Sequence, residues 1–462
     1  MNAEAVQPAP GRGRHAVMRE VAATLAVAAP LAAANVAQMA LGFTDTVMVG
    51  YLGGRALAAA GLGAGLYFMV VVVFQGVLSA VSPLAARAVG AGERRVAGEV
   101  LAAGLALAAL LALPIGLGIA NVDRLLRLMH YEPALADQVG GFLRAIVWGV
   151  PAFLGFAALR GFLAAVGRAG AVTVVLLACV PTNAALNGIL VFGHFGMPPL
   201  GIVGSGYASA LTQWAMLLGT ICYALVAPRL GEYRAAARQW ANLWRQGRRI
   251  LHLGLPIAGL FALEVGVFTT ASVLMGLLGA DALAAHQLVL NCASTTFMVP
   301  LGISQAATVR VAAERGAGRP EAAARAAAVA LGLGIGFMAA AALVLWTAPG
   351  VIVSIYLDPA APANREVVGI ALRLLAVAAL FQVFDGTQVV AAGALRGYED
   401  TRTPMVLAAL GYWGIGFTGA WALAFPLGLG PVGLWWGLAL GLAAVAAMLT
   451  VQLRRRERAV RL

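Results

Sequence analysis

The chain has 462 residues, of which 61% are hydrophobic and only 11% charged, and its mean hydropathy is +0.89. Its 31 basic residues are all arginines and outnumber the 19 acidic residues, which gives a net charge of +12. This composition excludes a soluble globular protein. The absence of lysine also excludes ATP hydrolysis through a Walker A loop, because that phosphate-binding loop requires a lysine.

A basic N-terminal tail at 1–20 precedes the first of twelve apolar runs. Each run has roughly twenty or more residues, which is enough to cross a bilayer as a helix. The runs are continuous rather than alternating, which favours helices over a β-barrel. The sequence therefore predicts an all-α integral membrane protein with spans centred on 21–49, 57–83, 100–121, 139–159, 171–193, 201–227, 250–278, 283–309, 323–346, 367–394, 404–426 and 430–452.

Arginines are distributed unequally between the two sides of this predicted bundle. Twenty-five of the 31 fall in segments on the side of the N-terminus, a count that places Arg160 and Arg396 in loops at span ends. Because cytoplasmic segments are enriched in arginine, we expect a multi-pass protein of a bacterial-type inner membrane with both termini in the cytoplasm. The net charge then reflects topology, so we expect no nucleic-acid partner.

The two halves of the chain repeat each other. Adding 226 to positions between Pro30 and Gly92 gives similar residues without a gap, and Leu159-Arg160-Gly161-Phe162 matches Leu395-Arg396-Gly397-Tyr398 at an offset of 236. Six helices per half keep the repeats parallel in the membrane. We therefore predict two pseudo-symmetric six-helix lobes at 21–227 and 250–452, joined by a cytoplasmic linker at 228–249 that rests on anionic headgroups and followed by a basic tail at 453–462.

Three acidic residues, Asp45, Glu264 and Asp385, lie inside apolar runs. A carboxylate in hydrocarbon costs about several kcal/mol, so each must face the bundle interior, become protonated or hold a cation. We interpret the three as candidate cation-coupling groups. The alternative is that each is a neutral, hydrogen-bonded group that serves helix packing.

Polar residues recur at helical spacing around these acids. Asn35, Gln38 and Asp45 fall at offsets of 0, 3 and 10, on one stripe of the first helix. Stripes on the fifth, eighth and tenth helices consist of Asn183 with Asn187, Gln287 with Asn291, and Gln382 with Asp385 and Gln388. Each amide alone is compatible with an ordinary interhelical hydrogen bond, but alignment with acids favours a polar cavity.

The repeat aligns the second-half acids with uncharged residues of the first half. Glu264 corresponds to Gln38, and Asp385 corresponds to Gly149. Since the second half holds two acids and the first only Asp45, we predict a cation site in the C-terminal lobe, built from helices seven, eight and ten, with Asp45 as an accessory. The oxygen atoms of this predicted site suit Na⁺. A pair of acids that binds a proton instead would have the same sequence pattern.

Four stretches carry a family resemblance: QMALGFTDTVMVGYLG, GLPIAGLFALEVGVF, AAHQLVLNCASTTFMVPLGISQAATVRV and DGTQVVAAGALRGYEDTR. They closely resemble the multidrug and toxic compound extrusion (MATE) family, in its NorM-like branch. The resemblance covers essentially the whole chain, including span number and repeat. It implies two six-helix lobes around a central cavity, and export of hydrophobic, often cationic drugs driven by a Na⁺ or H⁺ gradient.

Within this resemblance, Glu264 and Asp385 match the family's cation-coupling acids on helices seven and ten, and Asp45 matches its first-helix acid. Phe297 stands where some NorM-like relatives carry an aromatic residue near the cation. Another branch keeps an acid on helix five. This chain has asparagines there instead, so the resemblance favours a C-lobe site over an N-lobe proton site.

The alternative function is a lipid-linked oligosaccharide flippase of the same superfamily, which would present arginines inside its cavity for a diphosphate. Nearly all arginines here are predicted at span ends, which disfavours it. No filter motif or catalytic constellation occurs in the sequence, so we expect neither a channel nor an enzyme. We expect small drug-like substrates and the lipid bilayer as partners of a monomer that needs no ATPase subunit and no cofactor beyond the coupling ion.

Overall fold

The computed structural model describes residues 10–237, 242–359 and 361–461, which are almost entirely helical. Twelve helices in these ranges are long and apolar enough to cross a membrane, which confirms the predicted all-α fold. We label these spans α1 to α12 in chain order: His15–Gly50, Gly54–Gly90, Arg94–Leu128, Pro133–Ala165, Ala169–Phe192, Gly201–Val226, Leu243–Leu277, Ala280–Gly316, Pro320–Thr347, Pro362–Gly397, Arg402–Ala424 and Gly430–Ala459.

Three spans change helical type along their length. α4 passes through a 3₁₀ turn at Val147–Gly149, and α10 begins with one at Pro362–Asn364. α11 contains a π-helix at Ala409–Phe417, a form that is frequent at functional sites. Within the described ranges, two short α-helices lie outside the spans, Gly231–Ala237 after α6 and Pro349–Tyr356 after α9, and a 3₁₀ turn at Pro228–Leu230 precedes the first of them.

Helical structure extends into the segments that the sequence assigns to tails and linker. The helix of α1 already begins at Pro10, and that of α12 continues to Arg461. Of the predicted linker 228–249, residues 238–241 lie outside the described residues, and α7 already begins at Leu243. Alanine and arginine are strong helix formers, so helices continue beyond their apolar cores.

Each half of the chain has its own hydrophobic core. The N-lobe, α1 to α6, packs around side chains such as Phe156 and Phe162, and the C-lobe, α7 to α12, packs around Phe381 and Trp435. Alanine fills many of the buried positions in both, which allows the helices to approach closely. The predicted pair of six-helix lobes is present.

The lobes touch through glycines. Because twelve spans are an even number, the start of α1 and the end of α12 share one membrane side, here called the terminal side; the opposite one is the far side. A Cβ added to Gly76 of α2 would lie 2.8 Å from Cα of Ala258 in α7, and one added to Gly302 of α8 would lie 2.6 Å from the backbone nitrogen of Ala32 in α1. Only glycine permits this backbone approach.

A second glycine pair lies nearer the terminal side. A Cβ on Gly90 would meet the backbone of Ala313, and one on Gly316 would meet the backbone of Arg87. The contacts are reciprocal, because positions 76 and 302, 32 and 258, 90 and 316, and 87 and 313 are each 226 residues apart. Arg87 also pairs with Glu399 of the other lobe at 2.7 Å.

The far half of the molecule contains open space. Gly42 in α1 and Gly61 in α2 have no described atom within 4 Å of an added Cβ. Both glycines line a cavity enclosed by N-lobe residues. Among the described side-chain hydrogen bonds between the lobes, the one nearest the far side joins Thr295 to Met39, and we call the space beyond it the cleft. Of the predicted polar residues, Gln38, Asp45 and Asn183 line the N-lobe cavity.

Candidate functional site

Asp45 lies in the far half of α1 and receives hydrogen bonds from two other helices. Asn183 and Asn187 of α5 donate their Nδ2 to its Oδ1 at 3.1 and 2.7 Å, and Ser209 of α6 donates its Oγ to Oδ2 at 2.5 Å. The two asparagines are one turn apart and therefore share a face of α5. The structure thus brings three predicted residues, Asp45, Asn183 and Asn187, into one cluster.

The amide oxygens beside Asp45 lack partners. Asn183 Oδ1 and Asn187 Oδ1 are buried and accept no hydrogen bond from any described residue. Leaving a buried acceptor unpaired costs about 1–3 kcal/mol. Together with the Asp45 carboxylate and the Ser209 hydroxyl, these oxygens are the ligand type that a hard cation binds.

Asp45 and Asn183 face a cavity of about 310 Å³ within the N-lobe. Ten of its 24 lining residues have polar side chains, among them Tyr67, whose hydroxyl donates to Gln213 Oε1 at 3.1 Å. Large apolar side chains dominate the remainder, among them Phe68, Phe142, Phe153 and Met216. A cavity that combines apolar walls with fixed polar groups is typical of a site for an organic molecule.

Asn35 and Gln38, on the terminal side of Asp45, contact a buried arginine. Arg160 of α4 is 7% exposed and donates to Gln38 Oε1 at 3.1 Å, to Asn35 Oδ1, and across the lobe boundary to Gln305 Oε1 at 3.0 Å. Among the described residues no carboxylate pairs with it. The prediction of Arg160 in a loop is wrong, because α4 remains helical to Ala165.

The predicted C-lobe acids lie on α7 and α10. Asp385 is 6% exposed and accepts a hydrogen bond from Gln388 Nε2 at 3.2 Å. Glu264 is half-buried and interacts electrostatically with Asp385. Gln382, fully buried on α10, accepts a hydrogen bond from Thr296 of α8 at 2.9 Å. Gln388 therefore contacts Asp385, and Glu264 lies within electrostatic range of that carboxylate. Gln382 joins α10 to α8.

A second buried arginine lies on α10, at the repeat position of Arg160. Arg396 is 7% exposed, its Nη2 donates to Ser304 Oγ at 2.9 Å, and its Nε is buried without an acceptor among the described residues. It interacts electrostatically with Glu264. The loop position predicted for Arg396 is wrong as well, since α10 stays helical to Gly397.

One face of α8 carries the predicted stripe and contacts the N-lobe. Gln287 and Asn291 are exposed, and Asn291 donates to the Gln287 carbonyl at 3.0 Å. Thr295, one turn further along the same face, places its Oγ1 4.0 Å from Sδ of Met39 in α1. This face of α8 therefore points toward the N-lobe. Phe297 is half-buried and packs against the C-lobe core.

The π-helix of α11 places two aromatic residues beside Glu264. Trp413 Nε1 donates to the Leu263 carbonyl at 3.2 Å, which ties α11 to α7. Tyr412 is 2% exposed, and its buried hydroxyl has no hydrogen-bond partner among the described residues. Tyr412 interacts electrostatically with Glu264 and Asp385. The sequence of α11 is apolar and does not predict the positions of Trp413 and Tyr412.

Sequence reasoning also missed Ser209 and Thr212, the α6 members of the Asp45 cluster. With Ser205 they fall at offsets of 0, 4 and 7, so a helical stripe was present in the sequence. The signal is weak, because hydroxyl groups in apolar helices often bond to the preceding turn. Thr212 does so, donating to the Ala208 carbonyl at 2.8 Å.

Two comparisons of the sequence agree with this geometry. The MatE family profile matches residues 30–189 and 256–422, segments whose starts are 226 residues apart. A probable multidrug resistance protein NorM from Mesorhizobium japonicum is 43% identical over 95% of each chain. A multidrug resistance protein NorM from Burkholderia vietnamiensis is 45% identical over 95% of this chain and 94% of that protein.

Solved structures share the fold at low sequence identity. The eukaryotic MATE transporter AtDTX14 superimposes with a TM-score of 0.86 at 21% identity, over 96% of this chain and 99% of that chain. An outward-facing multidrug resistance MATE family transporter of the MOP superfamily gives a TM-score of 0.85 at 19% identity, over 96% of both chains. The family profile and the near full-length relatives establish the assignment: the chain belongs to the multidrug and toxic compound extrusion (MATE) family, in its NorM-like branch.

Proposed function

We propose that this chain is a secondary active efflux transporter that exports hydrophobic and cationic drug-like molecules in exchange for Na⁺ or H⁺. The multidrug resistance names of its NorM relatives support the substrate class. The observation that carries the proposal is the oxygen cluster at Asp45, where two buried amide oxygens lack partners among the described residues and where Asp45 and Asn183 line a cavity of about 310 Å³. A small cation and an organic molecule are the natural ligands of such a wall.

Glu264 and Asp385 form the second acidic group in this proposal. Repulsion between neighbouring carboxylates is relieved when a proton or a cation lies between them. We assign the two residues, together with Asp45, to cation coupling. The Asp45 cluster offers more oxygen ligands than the C-lobe pair, so we no longer treat Asp45 as a mere accessory.

Exchange follows if cation and substrate favour different arrangements of the two lobes. A monovalent cation moving inward gains about 2.3 kcal/mol per 100 mV of membrane potential, enough for roughly fiftyfold uphill movement of a neutral substrate in one-for-one exchange. We propose a monomer in a bacterial-type inner membrane, with both termini cytoplasmic and no ATPase subunit. The cleft would then open outward.

The flippase alternative gains one supporting observation, since Arg160 and Arg396 are buried rather than placed in loops. Both, however, lie on the terminal half, where the lobes touch. Arg160 is also already bonded to three amide oxygens. We therefore favour drug export over transfer of a diphosphate-linked lipid.

The proposal is tested with purified protein in proteoliposomes and a fluorescent cationic dye, with Na⁺ and pH gradients imposed separately. We expect one gradient to drive dye movement and Asp45→Asn, Glu264→Gln and Asp385→Asn each to reduce gradient-driven movement at least tenfold. Asp281→Asn, at an exposed acid on the far side of α8, is the matched control. Dye movement insensitive to both gradients would refute antiport, and full coupling in all three variants would refute the assigned residues.

A further inference from the structure

The terminal end of α7 carries a basic groove. Arg245, Arg248, Arg249 and His252 fall at offsets of 0, 3, 4 and 7, so one face of the helix carries all four. They line a cavity of about 440 Å³, and its other lining residues are Trp244, Leu253 and Glu399. This groove is remote from the Asp45 and Glu264 regions and has no part in the proposed exchange.

The groove lies at the level of lipid headgroups. The 35 residues of α7 span about 52 Å at 1.5 Å per residue, which exceeds the hydrocarbon thickness of about 30 Å by several turns. Apolar sequence begins at Ile250, so the preceding turns project beyond the hydrocarbon on the terminal side. Trp244 is 79% exposed there, a position typical of an interfacial anchor.

Positive charge in the groove is largely uncompensated. Glu399, the one carboxylate in its lining, already accepts a hydrogen bond from Arg87 at 2.7 Å. Glu99 lies 4.0 Å from Arg245 at its nearest approach. Among the described residues, no carboxylate pairs with Arg248 or Arg249.

A further cation adjoins the groove from α11. Arg402 Nη2 lies 3.4 Å from His252 Nδ1, and no described carboxylate pairs with it. Several guanidinium groups around one cavity therefore form a potential binding site for an anion. Planar guanidinium groups bind phosphate oxygens in a bidentate geometry, which makes phosphate the anion that these side chains recognise best.

We propose that the groove is a binding site for the phosphate of an anionic glycerophospholipid, with Arg248 and Arg249 on the phosphate and Trp244 and Leu253 against the glycerol and upper acyl chain. A lipid is favoured over free phosphate because apolar side chains share the cavity with the arginines and the cavity lies at the membrane edge. Glu399 forms one wall, so the bound phosphate would lie beside the Arg87–Glu399 pair that joins the lobes.

The test is a lipid titration of the detergent-purified, full-length chain, monitored by native mass spectrometry, with phosphatidylglycerol and phosphatidylcholine compared. We expect the wild type to retain phosphatidylglycerol selectively and Arg248→Gln/Arg249→Gln to bind it about thirtyfold more weakly, as about 1 kcal/mol per arginine implies. Each single substitution should weaken binding about fivefold, which keeps the test available if the double variant does not fold.

Arg454→Gln/Arg455→Gln is the matched control, because it removes two exposed arginines from the same membrane side. We expect it to bind phosphatidylglycerol within about twofold of wild type. Equal weakening in the control would overturn the proposal in favour of unspecific charge attraction. Unchanged binding in the groove variants, or full displacement of the lipid by millimolar inorganic phosphate, would also overturn it. None of these outcomes depends on transport.

Discussion

Arg160 is a buried cation whose protein partners are all neutral. Its guanidinium donates to amide oxygens of Asn35, Gln38 and Gln305, two from α1 and one from the opposite lobe. Because a buried charge is costly unless its hydrogen bonds are satisfied, the side chain stabilises the fold only while α1, α4 and α8 stay together. It therefore favours the arrangement in which the lobes are closed on the terminal side.

We expect Arg160→Met to lower the stability of the protein by about 2 kcal/mol, because one buried and two partly buried amide oxygens lose a charged donor. The measurement is thermal unfolding in detergent. Arg124→Met, at an exposed arginine of α3 without an ion pair in the described residues, is the control. Equal melting temperatures for the two variants would contradict the role assigned to Arg160.

Asp400 provides a pH-dependent contact in the turn between α10 and α11. Burial alone would raise its pKa, but hydrogen bonds from Arg456 at 2.7 Å, Gln452 at 2.9 Å and the Thr403 amide at 3.4 Å outweigh this and hold the pKa below its usual 3.8. Because the folded-state pKa is lowered, the stabilisation is fully present above pH 3.8 and is lost as the pH falls through the folded-state value.

Asp400→Asn should therefore lower the free energy of unfolding by about 1 kcal/mol at neutral pH. The difference from wild type should shrink as the pH falls below about 4, where the wild-type carboxyl also becomes neutral. Melting curves between pH 3 and 7 measure this. A difference that stays constant over that range would show that ionisation of Asp400 is not responsible.

The close contacts between helices of the two lobes require glycine at specific turns. Gly90 of α2 lies against the backbone of Ala313 in α8, and backbone cannot rotate away as a side chain can. Adding a single methyl group there must separate the helices. The contact belongs to the terminal half, so separation would favour the arrangement that is open on that side.

We expect Gly90→Ala to shift the conformational equilibrium at least tenfold toward far-side closure, equivalent to about 1.4 kcal/mol. Spin labels at Tyr51 and Leu277, at or next to the far-side ends of α1 and α7, report this as a shorter distance. Gly61→Ala, where an added Cβ meets nothing within 4 Å, is the control. An unchanged distance distribution in Gly90→Ala would show that the glycine contact does not set the equilibrium.

Elements were predictable from the sequence to the extent that hydropathy determines them. The twelve spans follow from long apolar runs, and the repeat follows from matched glycines. The burial of Arg160 within a helix could not be predicted, because the sequence around an arginine near a span end is the same whether that arginine lies in a loop or in a helix. The sequence also aligned Asn183 and Asn187 without revealing that they bond to Asp45. Contacts between helices depend on how each helix is rotated, and α8 is polar on more than one face, so the sequence did not reveal that Thr295 of this helix contacts Met39 of α1.

At the scale of the whole molecule, the asymmetry of arginines makes a prediction about orientation. A fluorescent protein fused to the C-terminus should fluoresce in bacterial cells, because this reporter matures in the cytoplasm. Alkaline phosphatase fused after position 197, between α5 and α6, should be active, and the same enzyme fused after position 167, between α4 and α5, should be inactive. The reverse pattern would place both termini outside.

The reciprocal glycine contacts make the lobe boundary an isologous interface, of the kind that joins the two subunits of a homodimer, held within a single polypeptide. Gly90 meets the backbone of position 313 and Gly316 meets the backbone of position 87, so each half presents equivalent backbone positions to the other. Substitutions at Gly90 and Gly316 should therefore be interchangeable in effect, whereas Asp45 and Glu264 have no acidic counterparts. The glycine contacts at the lobe boundary are therefore equivalent in the two halves, whereas the ionisable groups differ between them.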